Sequence, residues 1–119
     1  MMLNVDVAIL MSTGNLDKVK SHLSYDVKWI IVNDRELNGY EEVLDYFEPV
    51  KAYFDSVEVN FRVNDVIASQ EKVVVVGIAE FYNDNQLKTV IEACDVYTFK
   101  ENKVSELKSF CITLDKNLA

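Results

Sequence analysis

Asp95 interrupts an otherwise apolar face of the run Val90-Ile91-Glu92-Ala93-Cys94-Asp95-Val96-Tyr97-Thr98-Phe99, and is the residue best placed to do chemistry. In an extended strand, side chains alternate between faces, so Ile91, Ala93, Asp95, Tyr97 and Phe99 share one side. A charge among such neighbours is costly unless it is paired or protonated. A carboxyl in that position can act as a general acid or base. The same carboxylate can instead serve the fold alone, held by Tyr40, Trp29 or a backbone amide.

The other candidates carry weaker signals. Glu80 lies toward the end of its strand, where it can stand at a pocket mouth and pair with Asp95 as an acid/base couple, or can simply be a solvated strand end. His22 is the single histidine. It can titrate near neutrality at a cavity rim, or pack its ring and turn one nitrogen to water. Trp29 and Tyr40 suit stacking on a flat or cyclic ligand and suit core packing equally. Ser109 and Cys111 have no neighbouring general base, which argues against a nucleophilic role. One histidine and two separated cysteines do not make a zinc site. No phosphate-cradling glycine loop or dinucleotide fingerprint is present, so no cofactor is expected.

The elements that must position these residues follow from hydrophobic period. Val5, Ile9 and Leu10 recur at helical spacing over residues 4–12, and Gly14 stops that helix. A short second helix is expected over 16–23, with Leu16, Val19 and Leu23 on one side. Residues 26–32, Asp-Val-Lys-Trp-Ile-Ile-Val, read as a strand and 33–39 as a loop. Residues 39–54 return to helical period through Tyr40, Val43, Leu44, Phe47, Val50 and Phe54, with Pro49 expected to kink or restart the helix. From residue 56 the period falls to two, giving strands over about 56–67, 71–82, 87–99 and 103–114. Helices followed by strands on short turns predict an α+β fold with a curved antiparallel sheet wrapped around the N-terminal helices and the longer helix.

With 119 residues, half of them apolar or aromatic, the chain suits a single domain over 1–119. The formal charge of −8 would repel polyanions, so neither nucleic acid nor an anionic membrane is an expected partner. The opening Met-Met-Leu-Asn-Val-Asp-Val-Ala-Ile-Leu lacks a basic leader and is interrupted by Asp6, so it reads as a helix, with the cytoplasm as the default location. Cys94 and Cys111 fall on opposite faces of the sheet, which argues against a disulfide. A sheet apolar on both sides needs two covers. The helices supply one, and a second copy of the chain is expected on the other, over Cys94, Val96, Phe110 and Ile112.

Three segments together carry a family likeness: Asn15–Trp29, Leu37–Phe47 and Lys88–Phe110. Their order and spacing resemble the nuclear transport factor 2-like (SnoaL-like) superfamily, whose cone-shaped α+β roll encloses a pocket. Within it, the run Lys88–Phe99 resembles the ketosteroid isomerase strand that bears an oxyanion-hole aspartic acid, at the position of Asp95. The isomerase's general base would fall near Ile31 and its first-helix tyrosine near Val7. Neither residue can do that work, so isomerase chemistry by that route is not expected. The Arg and Asp pattern of epoxide hydrolases of this fold is not recognisable either, with Lys108 and Ser109 in the closing strand.

On this resemblance the pocket face carries Asp95 with Ile91, Ala93, Tyr97 and Phe99, then Val74, Val76, Ile78 and Glu80 across the preceding turn. The last strand contributes Leu107, Ser109 and Cys111, a choice that depends on the hairpin register. Trp29, Ile31, Tyr40 and Phe47 are expected to close the cavity. The expected function is binding of an apolar small molecule, or cofactor-independent proton transfer of the isomerase or cyclase kind with Asp95 as acid/base. The alternative is a non-catalytic dimeric scaffold, whose cavity would be filled by Trp29, Phe47 and Tyr97.

Overall fold

The structure is a computed structural model, and it describes residues 2–115. Helix α1 spans Asn4–Ser12, and two 3-10 turns follow at Leu16–Lys18 and Lys20–His22. Strands β1 (Leu23–Ile31) and β2 (Arg35–Asn38) come next, then helix α2 (Tyr40–Ser56). Four long strands close the chain: β3 (Glu58–Ala68), β4 (Lys72–Asn83), β5 (Gln86–Lys100) and β6 (Lys103–Leu114). They form one six-stranded sheet in the order β2-β1-β6-β5-β4-β3. The α+β class expected from the period is therefore the class found.

Three local expectations change. The short second helix is only the pair of 3-10 turns, so β1 begins at Leu23 instead of residue 26. Part of the expected loop is strand β2, which pairs with β1 from Lys28↔Asn38 to Ile31↔Arg35. The sheet is also not wholly antiparallel, because β1 runs parallel to β6, with Trp29 beside Leu107 and Ile31 beside Ser109. Helix α2 continues through Pro49 to Ser56 as one element.

One side of the sheet wraps the helices. Val7 and Ala8 of α1, Val43 and Phe47 of α2, and Leu16 and Val19 of the turns meet Val27, Val73, Val75, Tyr97, Phe99, Val104 and Leu107 in one core. Full burial of each such aliphatic side chain contributes about 2 kcal/mol. The sheet bends around this core through bulges. One interrupts the β3–β4 pairing between Val63 and Asp65, opposite Gly77. A Cβ on Gly77 would lie 2.6 Å from the carbonyl oxygen of Arg62, so the strands approach there only because the residue is glycine. A second bulge falls in the β4–β5 hairpin, where Tyr82 faces Leu87 but Phe81 faces Thr89. The turns at Asp84-Asn85 and Glu101-Asn102 take left-handed conformations at both residues, with φ between 52° and 65°.

Candidate functional site

The concave side of the sheet is not completely filled. A cavity of about 370 Å³ remains between the C-terminal end of α1, the second half of α2 and strands β1 and β3–β6. Small residues make its floor: Gly77, Ala79 and Ala93 sit side by side in β4 and β5, where larger side chains would occupy the space. Aromatic side chains make much of the wall. Phe54 packs edge-on to Phe61 at 5.6 Å and lies 5.9 Å from Phe81, while Trp29 meets Tyr46 edge-on at 5.5 Å. Arg35 lies over the Tyr46 ring, 5.0 Å from its centroid.

Asp95 borders this cavity and is 9% exposed. It is the one carboxylate among the described residues lining the cavity. Its partners are hydroxyls. Ser12, delivered by the last turn of α1, donates to Oδ2 at 2.8 Å, and Ser12 Oγ also lies 2.6 Å from the Tyr97 hydroxyl. Ser109 stands opposite Asp95 on β6, where its hydroxyl also favours the charged carboxyl. Trp29 Nε1 in turn donates to Ser109 Oγ at 3.0 Å. Burial pushes the Asp95 carboxyl above its ordinary 3.8, and the Ser12 and Ser109 hydroxyls pull in the opposite direction without cancelling it. Burial, with the nearby Asp95 charge, also raises the Tyr97 phenol and the Cys111 thiol, so both stay neutral.

Of the residues singled out in the sequence, Trp29, Ile31, Phe47, Ile78, Ala93, Asp95, Tyr97, Leu107, Ser109 and Cys111 border the cavity. Three do not. Val76 pairs with Cys94, whereas Val75 stands beside Asp95, so Val76 belongs to the outer face. Glu80 is also on the outer face, where it accepts from Asn60 Nδ2 at 3.0 Å and pairs with Arg62 at 3.4 Å. It therefore forms no acid/base couple with Asp95. Tyr40, at the start of α2, packs against the core, one end away from the cavity. Val74 is displaced to the outer face with Val76, and Ile78, opposite Arg62 and Glu92, borders the cavity only beside side-chain-free Gly77.

The cause is the hairpin bulge. Counting back across the turn at Asp84-Asn85 places Val74 opposite Asp95, but the extra residue at Lys88 moves the partner to Val75. One residue of slip exchanges every side chain between faces. The inward set on β4 is consequently Val73, Val75, Gly77, Ala79 and Phe81. His22 lies in the second 3-10 turn and does not border the cavity. Asp95 is held by Ser12, with the Ser109 hydroxyl opposite it, not by Tyr40 or a backbone amide, and Trp29 donates to Ser109. Ser12 escaped the sequence reading because it lies 83 residues from Asp95 and outside the apolar helical period.

The model of the SnoaL-like domain family matches residues 7–107, from α1 into β6. The chain belongs to the SnoaL-like domain family. No protein of curated function matches it significantly in sequence. Solved structures with the same fold include a nuclear transport factor 2-like (NTF2-like) protein of unknown function from Cytophaga hutchinsonii. It has a TM-score of 0.81 and 19% identity, over 89% of this chain and 93% of that one. A protein from Jannaschia sp., provisionally assigned as a SnoaL-like polyketide cyclase, superposes with a TM-score of 0.72 at 16% identity, over 91% and 84% of the two chains. A Mycobacterium tuberculosis LEH-like epoxide hydrolase does so at 0.69 and 10%, over 92% and 82%. At these identities the likeness is one of fold, which by itself assigns no function.

Among the described residues no helix is long and apolar enough to cross a membrane. No group of metal-ligating side chains is found among them either. Cys94 and Cys111 are free thiols on opposite faces of the sheet.

Proposed function

We propose that this SnoaL-like chain binds a mostly apolar small molecule in the cavity and that Asp95 exchanges a proton with it, as in an isomerase- or cyclase-like reaction. The observation that carries this reading is a lone carboxyl buried at the wall of an apolar cavity, held by hydroxyls and facing no ion-pair partner among the described residues. Desolvation raises its pKa toward the range where a carboxyl both gives and takes a proton. Trp29, Phe47 and Tyr97 line the cavity without filling it, which supports a ligand site over the scaffold reading. The polyketide cyclase assignment of one structural relative supports the same class of chemistry.

A test is to fill the space. Ala93→Leu places a branched side chain over the floor between Gly77 and Cys111. Small molecules that raise the Tm of the unaltered protein are expected to lose that effect in Ala93→Leu, while far-UV circular dichroism stays unchanged. Retained stabilisation by such molecules would place their binding elsewhere and remove the cavity from the function.

The outer face supports a second part of this reading, a homodimer. Phe110 and Ile112 are 40% and 63% exposed there, beside Val96 and Cys94. Lys108 Nζ lies 5.6 Å from the Phe110 ring. Ile112→Lys is expected to convert a dimer to a monomer in sedimentation-velocity runs. A monomeric unaltered chain at tens of micromolar would reject the dimer.

A further inference from the structure

The hydrogen-bond directions around Asp95 narrow the ligand. An indole N–H is a donor only, so Trp29 must donate to Ser109 Oγ. The Tyr97 phenol is fully buried, and its one hydrogen-bond partner is Ser12 Oγ, so its proton goes to Ser12. Each serine hydroxyl has a single proton: that of Ser12 goes to Asp95 Oδ2 at 2.8 Å, and that of Ser109, which stands opposite Asp95, is not used by Trp29. Two fixed donors, one on β5 and one on β1, thus turn Ser12 toward the carboxyl and leave the Ser109 proton free to point the same way. Asp95 is wired as an acceptor, and what it presents to the cavity is further acceptor capacity.

No side chain of the protein answers it. Arg62 is the one cation among the described residues that line the cavity, and it pairs with Glu80 on the outer face. The walls offer aromatic faces from Trp29, Tyr46, Phe54 and Phe61, which attract cations. The net charge of −8 favours the approach of a positive ligand.

We infer that the cavity takes a lipophilic amine, whose protonated nitrogen donates to Asp95 while its hydrocarbon part fills the aromatic space. This inference rests on the ligand-site reading above and names the ligand class. A ketone or ester would present only acceptors to an acceptor. A carboxylic acid would add a second negative charge.

Three rigid probes of similar bulk separate these cases: 1-adamantylamine, 2-adamantanone and 1-adamantanecarboxylate, each titrated calorimetrically near neutral pH. The amine is expected to bind about tenfold or more tightly than the ketone, and the carboxylate weakest of all. Asp95→Asn, and separately Asp95→Ser, should each bring the amine down to the level of the ketone. A ketone that binds as tightly as the amine overturns the inference, and so does an amine preference that survives both substitutions. If the ketone binds and Ala93→Leu abolishes that binding, the cavity remains a ligand site and only the amine class falls. Should none of the three probes bind, both readings fall together.

Discussion

Asp95→Asn is expected to keep the fold and to cut turnover of a physiological substrate about a hundredfold or more. Asparagine matches the shape and still accepts a hydrogen bond from Ser12, but it neither gives nor takes a proton at these pH values. The same substitution has a signature in stability that needs no substrate. In the native state the Asp95 carboxyl titrates above its ordinary 3.8, because burial penalises the charged form. Between the unfolded and the native pKa the native state holds more protons than the unfolded chain, so stability falls as pH rises through that window. The contribution is fully present below about 3.8 and lost above the native value. Asparagine carries no such dependence. Melting curves across pH should therefore show the unaltered protein losing ground to Asp95→Asn as pH rises from 4 toward neutrality. A constant difference between the two would mean that Asp95 titrates normally and is open to water.

Gly77→Ala is expected to be the most damaging small change in the sheet. The added methyl would sit 2.6 Å from a backbone carbonyl oxygen, that of Arg62, and not from a side chain that can swing aside. The β3–β4 pairing must open at the bulge to admit it. Overpacking of this kind costs about 3 kcal/mol, which is a fall of roughly 10 °C in Tm for a domain of this size. Ala79, two residues on and also inward, is the natural control, because glycine there removes a methyl without forcing strands apart. A Gly77→Ala protein that melts within a degree or two of the parent would show that the bend tolerates a side chain, and that glycine is not what sets the curvature.

How much of this was legible in the sequence depended on where the period was clean. The face of β5 was readable because Ala93, Asp95 and Tyr97 alternate with charged or outward neighbours. The β4 face was not, since Val73–Val76 is apolar at every position and its phase had to be carried over from the next strand. Lys88, the bulged residue, looks like any other strand residue in composition, so the slip it causes left no trace. Glu80 and Val76 were misplaced for that single reason. On β6 the analogous irregularity between Thr98 and Phe99 puts Ser109, not Lys108, opposite Asp95. Long-range partners were the other blind spot. The Ser12 hydroxyl and the β1–β6 pairing join segments far apart in the chain, and no local pattern announces either. The aromatic residues Tyr46, Tyr53 and Phe54 were visible as types, but only the packing of α2 against the cone shows that its second half, and not Tyr40, faces the cavity.

The parallel seam between β1 and β6 bears on how the molecule comes into being. Trp29 is made 80 residues before its partner Ser109. During synthesis the first strand must wait, one edge unpaired, until β6 has left the ribosome. The Trp29–Ser109 contact beside Asp95 consequently cannot form before β6 has been made, and such distant pairings fold slowly.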